Sequence, residues 1–286
     1  MYGAKALAVP LRYGQRMVVK AAPDEDLISW ETKVCNQPWF SAEFLLPDLV
    51  IQNCSDHHTA VFIQKLLKSA TELHNEKEIQ HTGWKVGNFI DFDINWGLGS
   101  SSSLVSNVAW WFNVDLYSLY RKLYKGSGYD VFCSRAEKPI VYNMTGENPD
   151  FHEVDFDPSF RDHLYFIYLG RKQDSQKSVK NFRTSYSHDD RMICEISKLT
   201  DRLIGSESLD DFMYTVRLHE ELMSEVLQIK GVRQEQFSDF AGEIKSLGAW
   251  GGDFVLAASP LDYKEVKEYF SRKNLPVVFQ WEEIVI

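Results

Sequence analysis

The residues best suited to chemistry lie in Trp96-Gly97-Leu98-Gly99-Ser100-Ser101-Ser102-Ser103, between an alternating apolar segment (Val86, Phe89, Ile90, Phe92, Ile94) and a helical one. Two glycines let the backbone turn tightly and approach a ligand with no Cβ in the way, and the serine run is expected to cap a helix beginning near Leu104. Free amides at a helix N-terminus, the helix dipole and several hydroxyls all favour an anion. The stretch therefore reads as a phosphate cradle, although composition alone also allows a plain loop. It lacks the Lys-Ser/Thr of a Walker loop and the GxGxxG of a dinucleotide fingerprint. A second turn, Ser127-Gly128-Tyr129-Asp130, precedes the apolar Val131 and by itself reads as a turn and helix cap. A third, Gly248-Ala249-Trp250-Gly251-Gly252-Asp253, leads into the apolar Phe254 to Ala257, and its paired glycines suit a close backbone approach.

Taken in order, the three stretches resemble the motifs of the GHMP kinases, the family named for galactokinase, homoserine kinase, mevalonate kinase and phosphomevalonate kinase. Gly97 to Ser101 looks like the family's PxxxGLGSSA motif, with Asp93 in place of the proline and Ser102 in place of the alanine. Ser127 to Asp130 is similar to the Ser-Gly-x-Asp element of mevalonate and phosphomevalonate kinases. It also resembles a subgroup marked by Gly-Tyr-Asp-Ile-Ala, with Val131-Phe132 replacing the last two residues. Ser246 to Ala257 is similar to the third motif, with Trp250 and Asp253 replacing glycines. Met1-Tyr2-Gly3-Ala4 resembles the tail of the first motif, so the preceding strand and its Gly-Glu-Tyr are expected upstream in a longer natural protein; a degenerate member is the alternative.

The resemblance implies transfer of the γ-phosphoryl group of ATP to a hydroxyl or phosphate of a small molecule. Gly97, Leu98, Gly99, Ser100, Ser101 and Ser102 would hold the triphosphate, and Ser101 would assist Mg2+. Asp130 would orient or deprotonate the acceptor, with Ser127, Gly128, Gly248, Ala249, Gly251 and Gly252 beside it or beside the phosphates. Mevalonate kinases carry a glutamate on the helix before Asp130, where this chain has Leu119, Tyr120 and Arg121. Mg2+ is then expected to rest on Ser101, the phosphates and water, as its retained waters allow. Asp253 brings an anion near the phosphate, so its side chain is expected to point away or to meet metal. Arg171, Lys172 and Lys177, in a loop resembling the family's Gly-x-x-x-Ser-Thr, either contact an anionic substrate or are solvated. Decarboxylation of a phosphorylated mevalonate derivative and nucleotide binding without catalysis are the rival activities.

At 286 residues, 44% hydrophobic and 25% charged, the chain can bury a large core and fill two domains, 1–160 and 161–286. A formal charge of -10 argues against nonspecific nucleic-acid binding and leaves small molecules as the expected partners, for a monomer or homodimer. Cys35, Cys54, Cys133 and Cys194 lie far apart without ligand spacing and read as reduced buried thiols. With no leader and no apolar run long enough for a bilayer, the expected setting is cytoplasmic, without a membrane partner.

The positioning elements follow from periodicity. Ala4 to Val19 reads as two strands or one bent strand, and Leu27 to Lys33 and Phe40 to Leu46 as strands around an Asn36-Gln37-Pro38 turn. Ser55-Asp56 is a cap before the helix through Leu73, which His57 and His58 open as solvated residues. Gly83 to Ile94 is a strand, and Leu104 to Phe112 and Leu116 to Leu123 are helices, with Trp110 and Trp111 filling core volume more readily than stacking on a base. Pro139 to Met144 is expected as an edge strand closed by a Thr145 to Asp150 loop, and Leu164 to Leu169 as a strand buried on both faces. Met192 to Ile204, Asp211 to Leu227 and Phe237 to Leu247 have helical spacing, as does Asp262 to Phe270, before a strand at Val277 to Trp281. The fold class is α+β. The resemblance implies an N-terminal domain like a ribosomal-protein α/β domain and a C-terminal ferredoxin-like one.

Overall fold

A computed structural model of the chain describes residues 3–24, 26–74, 82–170, 189–248, 250 and 253–286. It forms two compact units that are discontinuous in sequence. One comprises Tyr13–Ile94 and Leu98–Arg135, the other Met1–Arg12, Asn95–Gly97 and Ala136–Ile286.

The unit formed by Tyr13–Ile94 and Leu98–Arg135 is built on a five-stranded sheet. Its strands are β2 (Gln15–Ala21), β3 (Leu27–Val34), β4 (Gln37–Leu45), β5 (Val50–Cys54) and β6 (Trp84–Ile90), in the order β2-β6-β3-β4-β5. β6 runs parallel to β3, and the other pairings are antiparallel. Period-two alternation puts Ile28, Trp30, Phe40, Phe44 and Val86 on one face. That face packs on helices α1 (His57–Leu73), α2 (Ser100–Trp111) and α3 (Leu116–Leu123) through Ile63, Leu66, Leu67, Val105, Val108 and Leu119. Burying each large side chain contributes on the order of 1.5–3 kcal/mol. Asp56 caps α1 by accepting from the Thr59 amide at 2.7 Å. The β3–β4 turn falls on Cys35 and Asn36, both left-handed, and not on Asn36-Gln37-Pro38. A two-residue turn with φ > 0 at both positions matches the strand twist, so Gln37 and Pro38 are already in β4.

The second unit holds two sheets. β1 (Ala6–Ala8), β7 (Ile140–Thr145) and β8 (Asn148–Glu153) form one, in the order β1-β7-β8. Ala4 to Val19 is thus two strands in two different sheets. β7 is central rather than an edge, because β1 pairs with one side of it and β8 with the other: the expected Thr145 to Asp150 loop shrinks to a hairpin turn at Gly146-Glu147, with Asn148 to Asp150 already in β8. The backbone of Lys5, just before β1, is satisfied by a helix: its amide donates to Ser197 Oγ at 3.1 Å, and its carbonyl accepts from Thr200 Oγ1 at 3.0 Å.

The other sheet has the antiparallel order β10-β11-β9-β12, from β9 (Leu164–Tyr168), β10 (Glu243–Ser246), β11 (Phe254–Ala258) and β12 (Val278–Gln280). Helices α5 (Asp190–Ile204), α6 (Leu209–Leu227) and α7 (Val232–Gln236) lie between β9 and β10, and α8 (Tyr263–Arg272) between β11 and β12. This is the expected ferredoxin-like arrangement. Phe237 to Leu247 is not a helix. Its apolar residues recur at helical spacing, but Ile244 enters the sheet core while β10 pairs with β11, so tertiary pairing overrides the periodicity.

Two smaller expectations also change. Trp110 is 74% exposed and fills no core, whereas Trp111 meets Trp84 and Phe112 edge-on at 5.8 and 4.7 Å. Cys35 and Cys194 are exposed and Cys54 and Cys133 half-buried, all four as free thiols. No helix among the described residues is long and apolar enough to cross a membrane.

Candidate functional site

The glycine-serine stretch makes a sharper turn than its sequence suggests. Gly97 and Gly99 are left-handed, at φ 69° and 85°, and Gly99 is the N-cap of α2 without any side-chain cap bond. The serines therefore do not cap the helix. Glycine adopts the left-handed turn at little cost, so α2 starts at Ser100, ahead of the expected Leu104, and the hydroxyls line its first turn. The first amides of a helix lack intrahelical acceptors, which is what an anion site requires. Ser101 is exposed and Ser102 buried.

α4 (Tyr129–Cys133) repeats the device. Its N-cap is Gly128, at φ 83°, again without a side-chain cap bond. Asp130 lies in the first turn and does not cap; its Oδ2 accepts a hydrogen bond from Ser102 Oγ. The acid and the serine turn are thereby joined within one unit. Two neighbours feel the acid: burial first, then the Asp130 charge, pushes the Tyr124 phenol up to about 12 against an opposing hydrogen bond with Ser101. The same two causes push the Cys133 thiol up to about 12. Gly126 and Gly128 leave room for Tyr120; a Cβ on Gly126 would fall 2.3 Å from its hydroxyl oxygen.

Several residues that position this turn were not anticipated. Ser103 Oγ donates to Gln15 Oε1 at 2.6 Å, and Asn107 Nδ2 to the Gln15 carbonyl at 3.0 Å. Gln15 Nε2 donates in turn to the buried Asn88 Oδ1 at 3.0 Å. Arg135 fastens the next turn of α2 through Nε to Ser106 Oγ at 2.7 Å and Nη2 to the Ser106 carbonyl at 2.6 Å. The available signal was alternation: Thr32 and Asn88 occupy core-facing strand positions with polar side chains, 3% and 2% exposed. A cavity of about 550 Å³ opens at the end of β6, lined by Gln15, Arg16, Asn36, Phe89, Ile90 and Asp91. The Arg16 guanidinium lies 5.0 Å from the centre of the Phe89 ring.

The segment Asn95–Gly97 belongs to the other unit and is fastened there. Trp96 meets Phe279 and Phe254 edge-on at 5.2 and 6.4 Å, and Tyr168 Oη donates to the Asn95 carbonyl at 3.0 Å. Asp253 does not point away from the turn. A Cβ added to Gly97 would lie 2.2 Å from Asp253 Cγ and 2.4 and 2.5 Å from its carboxylate oxygens. Gly248 is exposed at φ 60°. Ala249, Gly251 and Gly252 lie outside the described residues, as do Arg171, Lys172 and Lys177.

Comparison of the sequence with protein-family models and with curated proteins gives no match. Comparison with solved structures does. The mevalonate kinase of Methanococcus jannaschii matches with a TM-score of 0.65 and 16% identity, over 97% of this chain and 91% of that one. The phosphomevalonate kinase of Streptococcus pneumoniae, solved with phosphomevalonate and AMPPNP, gives 0.66 and 15%, over 98% and 94%. Lactococcus lactis galactokinase, solved with galactose, gives 0.63 and 11%, over 100% and 88%. The chain has the GHMP-kinase fold, in a sequence far removed from these neighbours.

Proposed function

We propose that the chain is an ATP-dependent small-molecule kinase of the mevalonate and phosphomevalonate type, nearest in its Gly128-Tyr129-Asp130 turn to the GYDIA subgroup, and that it works in the cytoplasm. The observation that carries this reading is the hydrogen bond from Ser102 to Asp130, which joins an anion-binding helix start to a carboxylate. The shared fold supports it, since neighbours include an enzyme solved with an ATP analogue.

In this reading the amides and hydroxyls from Gly97 to Ser102 bind the triphosphate. The Asp130 carboxylate holds the acceptor hydroxyl and takes its proton as the oxygen attacks the γ-phosphorus, while the bond to the bridging β–γ oxygen breaks and ADP leaves. Such transfer depends on positioning and charge stabilisation. The cavity beside Phe89 and Asn36 offers an apolar floor and amide groups to the nucleoside. Among the described residues no cluster of three His, Cys, Asp or Glu stands ready for a metal. In this reading Mg2+ would arrive with the nucleotide and would be held by phosphate oxygens, water and the Ser101 hydroxyl. When bound, the ion would supply neutralisation of phosphate charge.

The test is ADP release with Mg-ATP across a panel of small alcohols and phosphomonoesters, mevalonate and phosphomevalonate first, beside calorimetry of nucleotide binding. Turnover with one acceptor is expected. Nucleotide binding without turnover of any acceptor would leave a binding protein, and the absence of both would end the kinase reading.

A further inference from the structure

The cavity at the end of β6 has a floor built by two neighbouring strands. Arg16 on β2 and Phe89 on β6 are register partners, and alternation turns both away from the core-facing Asn88 and Ile90. The Phe89 ring reaches back over Gly87, whose missing side chain makes the room: a Cβ there would fall 3.1 and 3.2 Å from Cε2 and Cζ of the ring. The Arg16 guanidinium sits over that ring at 5.0 Å, exposed and, among the described residues, in no ion pair. Most other polar groups around the pair are engaged within the protein. Gln15 gives Nε2 to Asn88 and Oε1 to Ser103, the Ile90 carbonyl accepts from the Cys35 amide at 2.8 Å, and Asp91 Oδ1 accepts from the Gly14 amide at 2.6 Å. What faces a ligand is the exposed Asn36 amide, a donor and an acceptor alike, and the outer oxygen of Asp91.

We propose that the Arg16–Phe89 pair is the platform on which a nucleobase stacks, and that the cavity takes the base by its face without choosing among adenine, guanine and cytosine. This inference rests on the kinase reading of the serine turn. A planar guanidinium stacks on an aromatic ring as an ammonium does not, and every base has such a face. Choosing by edge needs fixed donors and acceptors. This cavity offers an amide that can turn either way and a carboxylate oxygen that suits the amino group common to all three bases. Gln15 places the platform beside the turn, because the residue that lines the cavity also holds Ser103.

Calorimetry with ADP, GDP, CDP and pyrophosphate, each with Mg2+, tests this without turnover. The three nucleotides should bind the wild type within about ten-fold of one another, and Arg16→Ala should weaken each by about ten-fold, the usual worth of one stacked base, while leaving pyrophosphate unchanged. Arg16→Lys keeps the charge but not the plane and should not restore them. Cys35 lines the same cavity as an exposed free thiol and gives a second readout. Its alkylation, followed by mass spectrometry with the exposed Cys194 as control, should be slowed by all three nucleotides and not by pyrophosphate. A wider spread among the nucleotides, an Arg16→Ala variant that binds them as the wild type does or loses pyrophosphate equally, recovery in Arg16→Lys, or bound nucleotide that leaves Cys35 unprotected would overturn the proposal while the kinase reading stands. Failure of all four probes to bind the wild type would overturn both.

Discussion

Ser102 and Asp130 differ in what their removal should cost. Asp130→Asn keeps the shape and can still meet Ser102, so nucleotide affinity should stay within a few-fold. Turnover on any accepted substrate should fall by roughly two to four orders of magnitude, the usual worth of a positioned acid or base. Near-wild-type turnover would remove Asp130 from the chemistry. Ser102→Ala leaves the carboxylate in place but unsteadied, and turnover should fall less. The glycines separate as well. Gly99 has open space around it, so Gly99→Ala bears only the left-handed backbone cost of about 1–2 kcal/mol. Gly97→Ala bears the same strain and also drives a methyl into Asp253. Urea denaturation should therefore find Gly97→Ala the more destabilised, and part of the excess should vanish in the Asp253→Gly background. A coupling under about 0.5 kcal/mol in that double-mutant cycle would mean the two residues do not meet.

Between elements, the start of α2 is held by one strand residue. Gln15 accepts from Ser103 and Asn107 on successive turns and donates to Asn88, which is itself buried beside Thr32. Gln15→Leu should leave the Asn88 side-chain oxygen Oδ1 without its donor, at a cost of about 1–3 kcal/mol. It should also raise the KM for nucleotide more than it lowers kcat, because the serine turn loses its anchor. A stability loss with KM untouched would make Gln15 merely structural. Of this network only the polar Thr32 and Asn88 at core-facing strand positions left a signal in the sequence, and their partners did not, although the turn they support was legible. The words Gly97 to Ser102 and Ser127 to Asp130 are contiguous, and their chemistry is local. A cap written within a few residues, Asp56 on Thr59, was equally readable. What escaped depends on partners far along the chain. β7 pairs with β1 more than a hundred residues away, and β10 exists because β11 lies beside it. The start of α2 escaped for a different reason: a left-handed glycine can replace a side-chain cap, and composition does not reveal φ.

For the molecule as a whole, a net charge of -10 implies self-repulsion that acid should relieve, whereas a buried cluster between α6 and β10 acts in the opposite direction. Lys245 Nζ lies 3.1 Å from His219 Nδ1 and 3.5 Å from Glu220 Oε1, and Ser246 Oγ donates to Glu220 Oε2 at 3.1 Å. Arg217 and Arg233 flank it through Glu243, at 2.9 and 3.5 Å. Burial, with the Lys245 charge behind it, holds the His219 imidazole below its ordinary 6.5 despite Glu220. The unfolded chain therefore takes a proton near pH 6.5 that the folded chain refuses, so this stability is complete above that pH and is lost as the pH falls toward the folded value. Burial pushes Glu220 up, but Lys245, His219 and Ser246 outweigh it and leave the carboxyl below 4.5. Its contribution is likewise complete above about 4.5 and lost on further acidification. Both shifts make the fold weaker in acid. Urea denaturation from pH 7.5 to 5.5 should show stability falling by up to about 1.4 kcal/mol per pH unit, the limit for one proton. His219→Gln should lower stability at pH 7.5 yet flatten the slope over that range, and high salt, which screens surface repulsion, should leave the flattening intact. If the variant keeps the wild-type slope, His219 is not the group that titrates; if stability rises on acidification in both proteins, relief of the net charge outweighs the cluster.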